Sequence, residues 1–140
     1  MNGSFFLDTN ILIYTFDDRS PAKKDQAREL VARAFEDRTG LISSQVVQEF
    51  LNVAGSKFEK PLSHEDLRLY LDRVLMPLCQ VYPSADLYHR ALDVSARWRY
   101  GFYDSLIVAA ALEAGCVTLL SEDLQHGQRI EGLSVVDPFR

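Results

Sequence analysis

Short apolar runs near residues 4–8, 41–42, 79–82, 116–120 and 133–136 alternate with longer segments whose apolar residues recur at helical spacing. The last two runs are apolar on both faces, as parallel strands covered by helices usually are. Alternation of this kind predicts an α/β fold: a three-layer α/β/α sandwich with a central parallel sheet of about five strands. At 140 residues the chain is expected to form a single domain spanning positions 1–140. Hydrophobic residues make up 47% and charged residues 25%, a globular balance, and no internal repeat is visible.

Helix signals fall between these runs. Ile11, Leu12, Ile13, Tyr14 and Phe16 predict a short helix after the first strand. Ser20 followed by Pro21 reads as a cap with proline at the first helical position, opening a charged helix to about Asp37. Gly40 then breaks the chain before Leu41 and Ile42. From Ser44, the spacing of Val46, Val47, Phe50, Leu51 and Ala54 predicts a helix ending near Gly55. Ser63 to Asp66 resembles a capping box with Asp in the Glu position, starting a helix that Pro77 closes. Ser84 caps another helix, with Leu87, Ala91, Leu92 and Val94 expected to face inward. Residues 106–112 are apolar almost all round, so their helix should be the most buried, ending at Gly115.

The N-terminal apolar stretch is broken by Asp8 and Asn10 and has no basic lead, which fits neither a signal peptide nor a membrane span. A cytoplasmic protein is expected. Cys79 and Cys116 lack CxxC spacing and a nearby His cluster, and are expected in the core. The net charge of −5 argues against holding nucleic acid by general electrostatic attraction.

Asp8 is the exception to this ordinary pattern. It interrupts the apolar sequence FFLDTNILIY, and a buried carboxylate must be paired, protonated or bound to a cation. In open parallel sheets ligands bind beyond the carboxyl ends of the strands, which is where Asp8 is expected. The run at 117–120 ends in Ser121, Glu122 and Asp123 at the same edge. Glu49, on the helix after the second strand, can point back over that edge, and Asp104 starts the most buried helix. Four carboxylates from distant stretches could thus converge on one pocket.

Two unit charges about 4 Å apart repel by roughly 4 kcal/mol at an effective dielectric near 20, so four ionised acids require countercharge. All-oxygen ligation favours Mg²⁺ or Mn²⁺ over zinc, and His64, His89 and His126 show no paired ligand spacing. Carboxylate-held ions of this kind can activate water and stabilise a departing oxyanion in phosphodiester cleavage, which makes a nuclease the leading chemistry. Taken singly, Asp8, Asp104 and Asp123 are equally readable as helix or turn caps, and Glu49 as a solvated helix residue. Their joint placement is what weakens those readings. Asn10 and Ser121 read either as caps or as groups orienting Asp8 and Asp123.

FLDTNILIY, Glu49 in SSQVVQEFLN, Asp104 in YGFYDSLIVAAALEAG and the segment LLSEDLQHGQ together resemble the PIN domain, and within it the VapC-type toxins of bacterial toxin–antitoxin pairs. The resemblance spans essentially the whole chain in the right order. It implies an endoribonuclease dependent on Mg²⁺ or Mn²⁺, with Asp8, Glu49, Asp104 and Asp123 at the family's acidic positions and Asn10 and Ser121 at its accessory polar ones. Ser121 stands where the family usually has Thr, keeping the hydroxyl. Whether Glu122 or Asp123 serves the metal is open at this point. The resemblance also implies a VapB-like antitoxin partner and, commonly, a homodimer.

Leu12, Ile13, Phe16 and the helix over residues 20–37 could form an apolar groove for a partner helix, or ordinary core. Arg97, Trp98, Arg99, Tyr100, Phe102 and Tyr103 combine cations with rings, suiting RNA or simply sealing the core. Lys23, Lys24, Arg28 and Arg33 read as a solvated helix face.

Two other functions compete. A phosphatase of the haloacid-dehalogenase kind would need a second Asp two residues after Asp8, where this chain has Asn10. A catalytically degenerate PIN-fold module binding RNA or a partner would be expected to have lost one or more acids, and all four are present.

Overall fold

The computed structural model describes residues 3–140. Its framework is a six-stranded sheet in the order β3-β2-β1-β4-β6-β5. The strands are β1 (Phe5–Leu7), β2 (Gly40–Ser43), β3 (Cys79–Val81), β4 (Thr118–Leu120), β5 (Arg129–Ile130) and β6 (Leu133–Val136). β1 pairs in parallel with β2 on one side and β4 on the other, and β2–β3 and β4–β6 are parallel too. All three residues of β1 and all four of β2 are buried. Because successive side chains point to opposite faces, both faces of the sheet must be covered.

The parallel part therefore has the expected five strands. The addition is β5, antiparallel to β6 and joined to it by Glu131 and Gly132, both at positive φ. A two-residue strand carrying exposed Arg129 shows no periodicity to detect. The positive-φ pair gives a hairpin turn whose twist matches that of the strands.

Helices connect the strands: α1 (Thr9–Tyr14), α2 (Pro21–Glu36), α3 (Ser44–Ser56), α4 (His64–Tyr70), α5 (Met76–Leu78), α6 (Ala85–Trp98) and α7 (Phe102–Glu113). Pro21 sits at the start of α2, where its missing N–H costs nothing. The core faces of α2 are Ala27 and Ala34. A Cβ on Gly40 would lie 2.2 Å from Ala34 Cβ and 2.9 Å from the Phe5 ring, so Gly40 lets α2 press directly on the sheet.

Two helix expectations need correction. Pro77 does not close the helix opened by Ser63, whose hydroxyl accepts from the Asp66 N–H at 3.1 Å. The helical path widens into a π turn over Leu71–Leu75, with the Met76 N–H bonded to Leu71 O, and continues through Pro77 to Leu78. Proline lacks an N–H and crowds the carbonyl four residues back, and a wider turn accommodates both. In α6, capped by Ser84 Oγ accepting from the Leu87 N–H at 3.0 Å, Leu87, Ala91 and Val94 are buried but Leu92 is 55% exposed. One residue beyond Ala91 rotates the side chain by about 100°, off the inward face.

α7 is buried from Ser105 through Ala111, as its apolar composition predicts, and Gly115 follows it at φ +72°. Cys79 and Cys116 are both buried and free. Phe5, Phe6, Leu7, Ile42, Phe50 and Leu119 are fully buried in one hydrophobic cluster. Among the described residues no helix is long and apolar enough to cross a membrane.

The chain steps outward from β1 to β2 to β3, then returns to the other side of β1 for β4 and β6. The direction of winding thus reverses between β1 and β4. In α/β sheets, this reversal opens a crevice at the carboxyl ends of the strands.

Candidate functional site

Asp8 follows β1 directly at that reversal. Its N–H is tied to Leu120 O at 3.0 Å, which locks the ends of β1 and β4 together. One carboxylate oxygen, Oδ1, accepts from the Thr9 N–H at 2.7 Å, capping α1. The other, Oδ2, accepts from Ser121 Oγ at 2.7 Å. Asp8 is buried. Burial drives its pKa up to about 6, against the pull of its Ser121 and Thr9 hydrogen bonds and with help from the charges of Asp123 and Glu49.

Ser121, at the end of β4, is fully buried and also accepts the Asp123 N–H at 3.1 Å. Asn10, in the first turn of α1, donates from Nδ2 to Asp123 Oδ2 at 3.1 Å and accepts the Glu122 N–H on Oδ1 at 3.3 Å. Both expected accessory residues therefore hold acids or the loop that carries them.

Glu49 is half-buried on α3. Its Oε1 accepts from Thr9 Oγ1 at 2.5 Å and its Oε2 from Gln45 Nε2 at 3.2 Å. Asp104 lies in the first turn of α7, whose cap position belongs to Gly101 rather than to Asp104. Its pKa is raised by partial burial first and then by the charges of Asp123 and Glu49. Asp8 and Asp104 thus both feel Glu49 and Asp123, which places all four carboxylates around one edge.

They do not meet at a point. Among the described residues no group of three or more His, Cys, Asp or Glu side chains is drawn together tightly enough to hold an ion as it stands. The expected convergence is corrected to a shared edge, for a physical reason. Like charges repel, and Asp8 and Glu49 are each held back by two hydrogen bonds.

The donor set is nevertheless all oxygen. The ion pairs found among the described residues join Arg19 to Asp17, Lys23 to Glu122 and Lys24 to Asp18, so none reaches these four acids. Uncompensated carboxylates of this kind suit a hard divalent cation, which commonly keeps several of its own waters.

Glu122 turns the other way. It meets Lys23 Nζ at 2.7 Å and the Tyr14 hydroxyl at 2.6 Å. Burial pushes its pKa up, but those bonds outweigh it and the net shift is downward. Of the two neighbouring acids it is Asp123 that stays with Asp8 and Asn10.

Thr9 and Gln45 escaped the sequence reading. Gln45 stands four residues before Glu49 on one helix, the spacing at which side chains meet, and that was its available signal. Thr9 had none beyond its place beside Asp8.

The remaining sequence candidates divide. Tyr103 and Phe102 are 69% and 40% exposed, whereas Trp98 and Tyr100 are half-buried. Arg97 lies over the Trp98 ring, and Tyr100 bonds Gln128. The aromatic run therefore both seals the core and leaves two rings free. Leu12 is core, while Ile13 and Phe16 line a groove of about 970 Å³ with Val53, Phe58 and Leu62. Residues 20–37 do not share in that groove; α2 packs its alanines inward instead. Three of its four basic residues are engaged individually, Lys23 with Glu122, Lys24 with Asp18, and Arg28 Nε with Thr15 O at 3.0 Å.

A PIN domain model matches residues 5–129, a span that contains Asp8, Glu49, Asp104 and Asp123. The chain belongs to the PIN domain family. No curated protein matches it by sequence. Solved PIN-like structures share its fold. A toxin–antitoxin complex from Klebsiella pneumoniae superposes with a TM-score of 0.68 at 20% identity, covering 96% of this chain and 98% of that one. The DNA-bound VapBC of Salmonella typhimurium gives 0.68 at 21% identity, covering 97% and 98%. VapC20 of Mycobacterium tuberculosis, a toxin that cleaves the sarcin–ricin loop, gives 0.59 at 18% identity, covering 86% and 90%.

Proposed function

We propose that this PIN domain is a metal-dependent endoribonuclease, acting as the toxin of a VapBC-type toxin–antitoxin pair. One observation carries the reading: four acids from distant stretches share the crevice between β1 and β4 with no cation paired to them among the described residues. Asp8, Glu49, Asp104 and Asp123 would hold Mg²⁺ or Mn²⁺. When bound, such an ion supplies charge neutralisation and acidifies water for phosphodiester cleavage.

The chain's own contribution is positioning. Ser121 fixes the rotamer of Asp8 and the backbone of Asp123, Asn10 steers Asp123, and Thr9 with Gln45 steers Glu49. Burial of Asp8 lowers the local dielectric, which strengthens its attraction for a cation. The fold shared with antitoxin-bound VapC proteins, and the groove at Phe16, support a VapB-like partner. A homodimer and a cytoplasmic setting belong to the same proposal.

The test is cleavage of total cellular RNA by the purified protein, with ends mapped. Cleavage that stops in EDTA, returns with Mg²⁺ or Mn²⁺, and is absent in Asp8→Asn is the expected result; full activity in EDTA overturns it. A second reading, a degenerate PIN-fold module that binds RNA or a partner, is favoured by the failure of the acids to converge. RNA retention without cleavage at any metal concentration would establish it.

A further inference from the structure

Beside the acidic edge lies a separate cavity of about 290 Å³, lined by Ser43, Gln45, Tyr88, Phe102, Tyr103 and Leu106 among others. Its size is near the lower end of small-molecule sites, roughly 300 Å³, room for one planar heterocycle. Two of its lining residues, Ser43 and Gln45, each carry a buried polar atom without a partner, Ser43 Oγ and Gln45 Oε1. Ser43 is 2% exposed and Gln45 8%. Buried polar groups are ordinarily satisfied, so two orphans among its lining residues ask for a ligand.

The chemistry of each orphan is determined. Gln45 spends its amide N–H groups on Glu49 Oε2 at 3.2 Å and on the Tyr103 carbonyl at 3.1 Å, leaving Oε1 as a pure acceptor. Ser43 Oγ can donate or accept. The lining also holds aromatic rings, Phe102 and Tyr103 edge to face at a centroid distance of 5.5 Å and the exposed Tyr88. Gln45 touches both this cavity and Glu49, so the two sites are one side chain apart.

We infer that this cavity receives one unstacked nucleobase of the RNA, stacked on Tyr103 or Phe102 and donating a hydrogen bond to Gln45 Oε1 while Ser43 Oγ completes its edge. Stacking on aromatic rings and reading exposed base edges is how proteins recognise single-stranded RNA. The inference rests on the ribonuclease reading for its substrate class and adds a site to it. It places a base, rather than only a phosphate, within reach of the acidic edge.

The test uses fluorescently labelled ribohexanucleotides in EDTA, so that binding is read by anisotropy without turnover. An adenosine-centred oligonucleotide should bind roughly tenfold or more tighter than one abasic at that position. A purine riboside at the same place stacks but has no exocyclic donor, and should bind several-fold weaker than adenosine. Tyr103→Ala should abolish the abasic difference. Ser43→Ala should weaken binding several-fold while leaving Tm unchanged or raised, because it removes an unsatisfied buried hydroxyl.

Equal binding of abasic and intact oligonucleotides overturns the inference, as does a Ser43→Ala variant with lowered Tm and full affinity. A Tyr103→Ala variant that changes the sedimentation of the protein but not its RNA binding also overturns it, since that face then meets protein. Parallel cleavage assays in Mg²⁺ separate the two readings. Base discrimination without cleavage keeps this site and removes the nuclease, whereas cleavage indifferent to the abasic position does the reverse.

Discussion

Glu122 and Asp123 are adjacent in the chain and opposite in environment. Glu122 is neutralised, with Lys23 Nζ at 2.7 Å and the Tyr14 hydroxyl at 2.6 Å, and Lys23 in turn lies 4.9 Å over the Tyr14 ring and 5.6 Å over Phe139. Among the described residues Asp123 has only Asn10 and a backbone tie to Ser121, and it adds its charge to those of Asp8, Glu49 and Asp104. One region resembles ordinary surface pairing. The other keeps negative charge together with hydrogen bonds that orient but do not neutralise it. The uneven compensation separates the two acids: Glu122 is paired with a cation, whereas Asp123 adds to the charge of the acidic edge.

The contrast breaks most sharply at Asp104, which is largely exposed in the first turn of α7 and is not its cap residue. Asp104→Asn is expected to cut Mg²⁺-dependent RNA cleavage by at least about a hundredfold, beyond the range typical of ligand-orienting groups. Activity within a few-fold of the parent would place Asp104 outside the site.

Ser121→Ala should follow, lowering metal affinity roughly 10- to 100-fold by freeing Asp8 and Asp123. Titration of Mn²⁺ against activity checks it, and an unchanged midpoint would reduce Ser121 to a cap.

Next comes stability. Asp8 titrates at about 6 when folded against 3.8 in the reference state, so the folded form binds the extra proton. Its ionisation penalty is absent below 3.8, grows as pH rises through the window to about 6, and is complete at pH 7. Asp8→Asn, which retains capping ability, should therefore stabilise the metal-free protein at pH 7 by about 1–3 kcal/mol. The gain should disappear near pH 4, as measured by denaturant unfolding at both pH values. Added Mg²⁺ should narrow the difference at pH 7 by stabilising the parent alone.

The smallest effect belongs to the compensated side. Lys23→Ala removes a partly exposed pair and should leave the unfolding midpoint almost unchanged, with RNA cleavage within about twofold of the parent. A large loss of cleavage would mean that Glu122, once released, competes for the site.

Much of the architecture was legible because it depends on local pattern. Apolar runs, the Ser84 cap, Pro21 and the apolar circumference of α7 are written in spacings of a few residues. What escaped depends on partners far away or on subtle geometry. The hairpin strand β5 is two residues long, Leu92 sits one step off its helix face, and the passage through Pro77 needed a π turn that propensity does not announce.

The acidic edge divides the same way. That Asp8, Glu49, Asp104 and Asp123 lie toward one edge was readable from where strands end and helices begin, since those positions follow from chain order and handed winding. That Glu122 would be neutralised, that Thr9 would hold Glu49, and that Ser43 and Gln45 would keep unsatisfied polar atoms at a cavity was decided only in the tertiary structure. Each outcome turns on side chains meeting across 40 or more positions of sequence or across a cavity wall, distances that the chain itself does not encode until packing closes them.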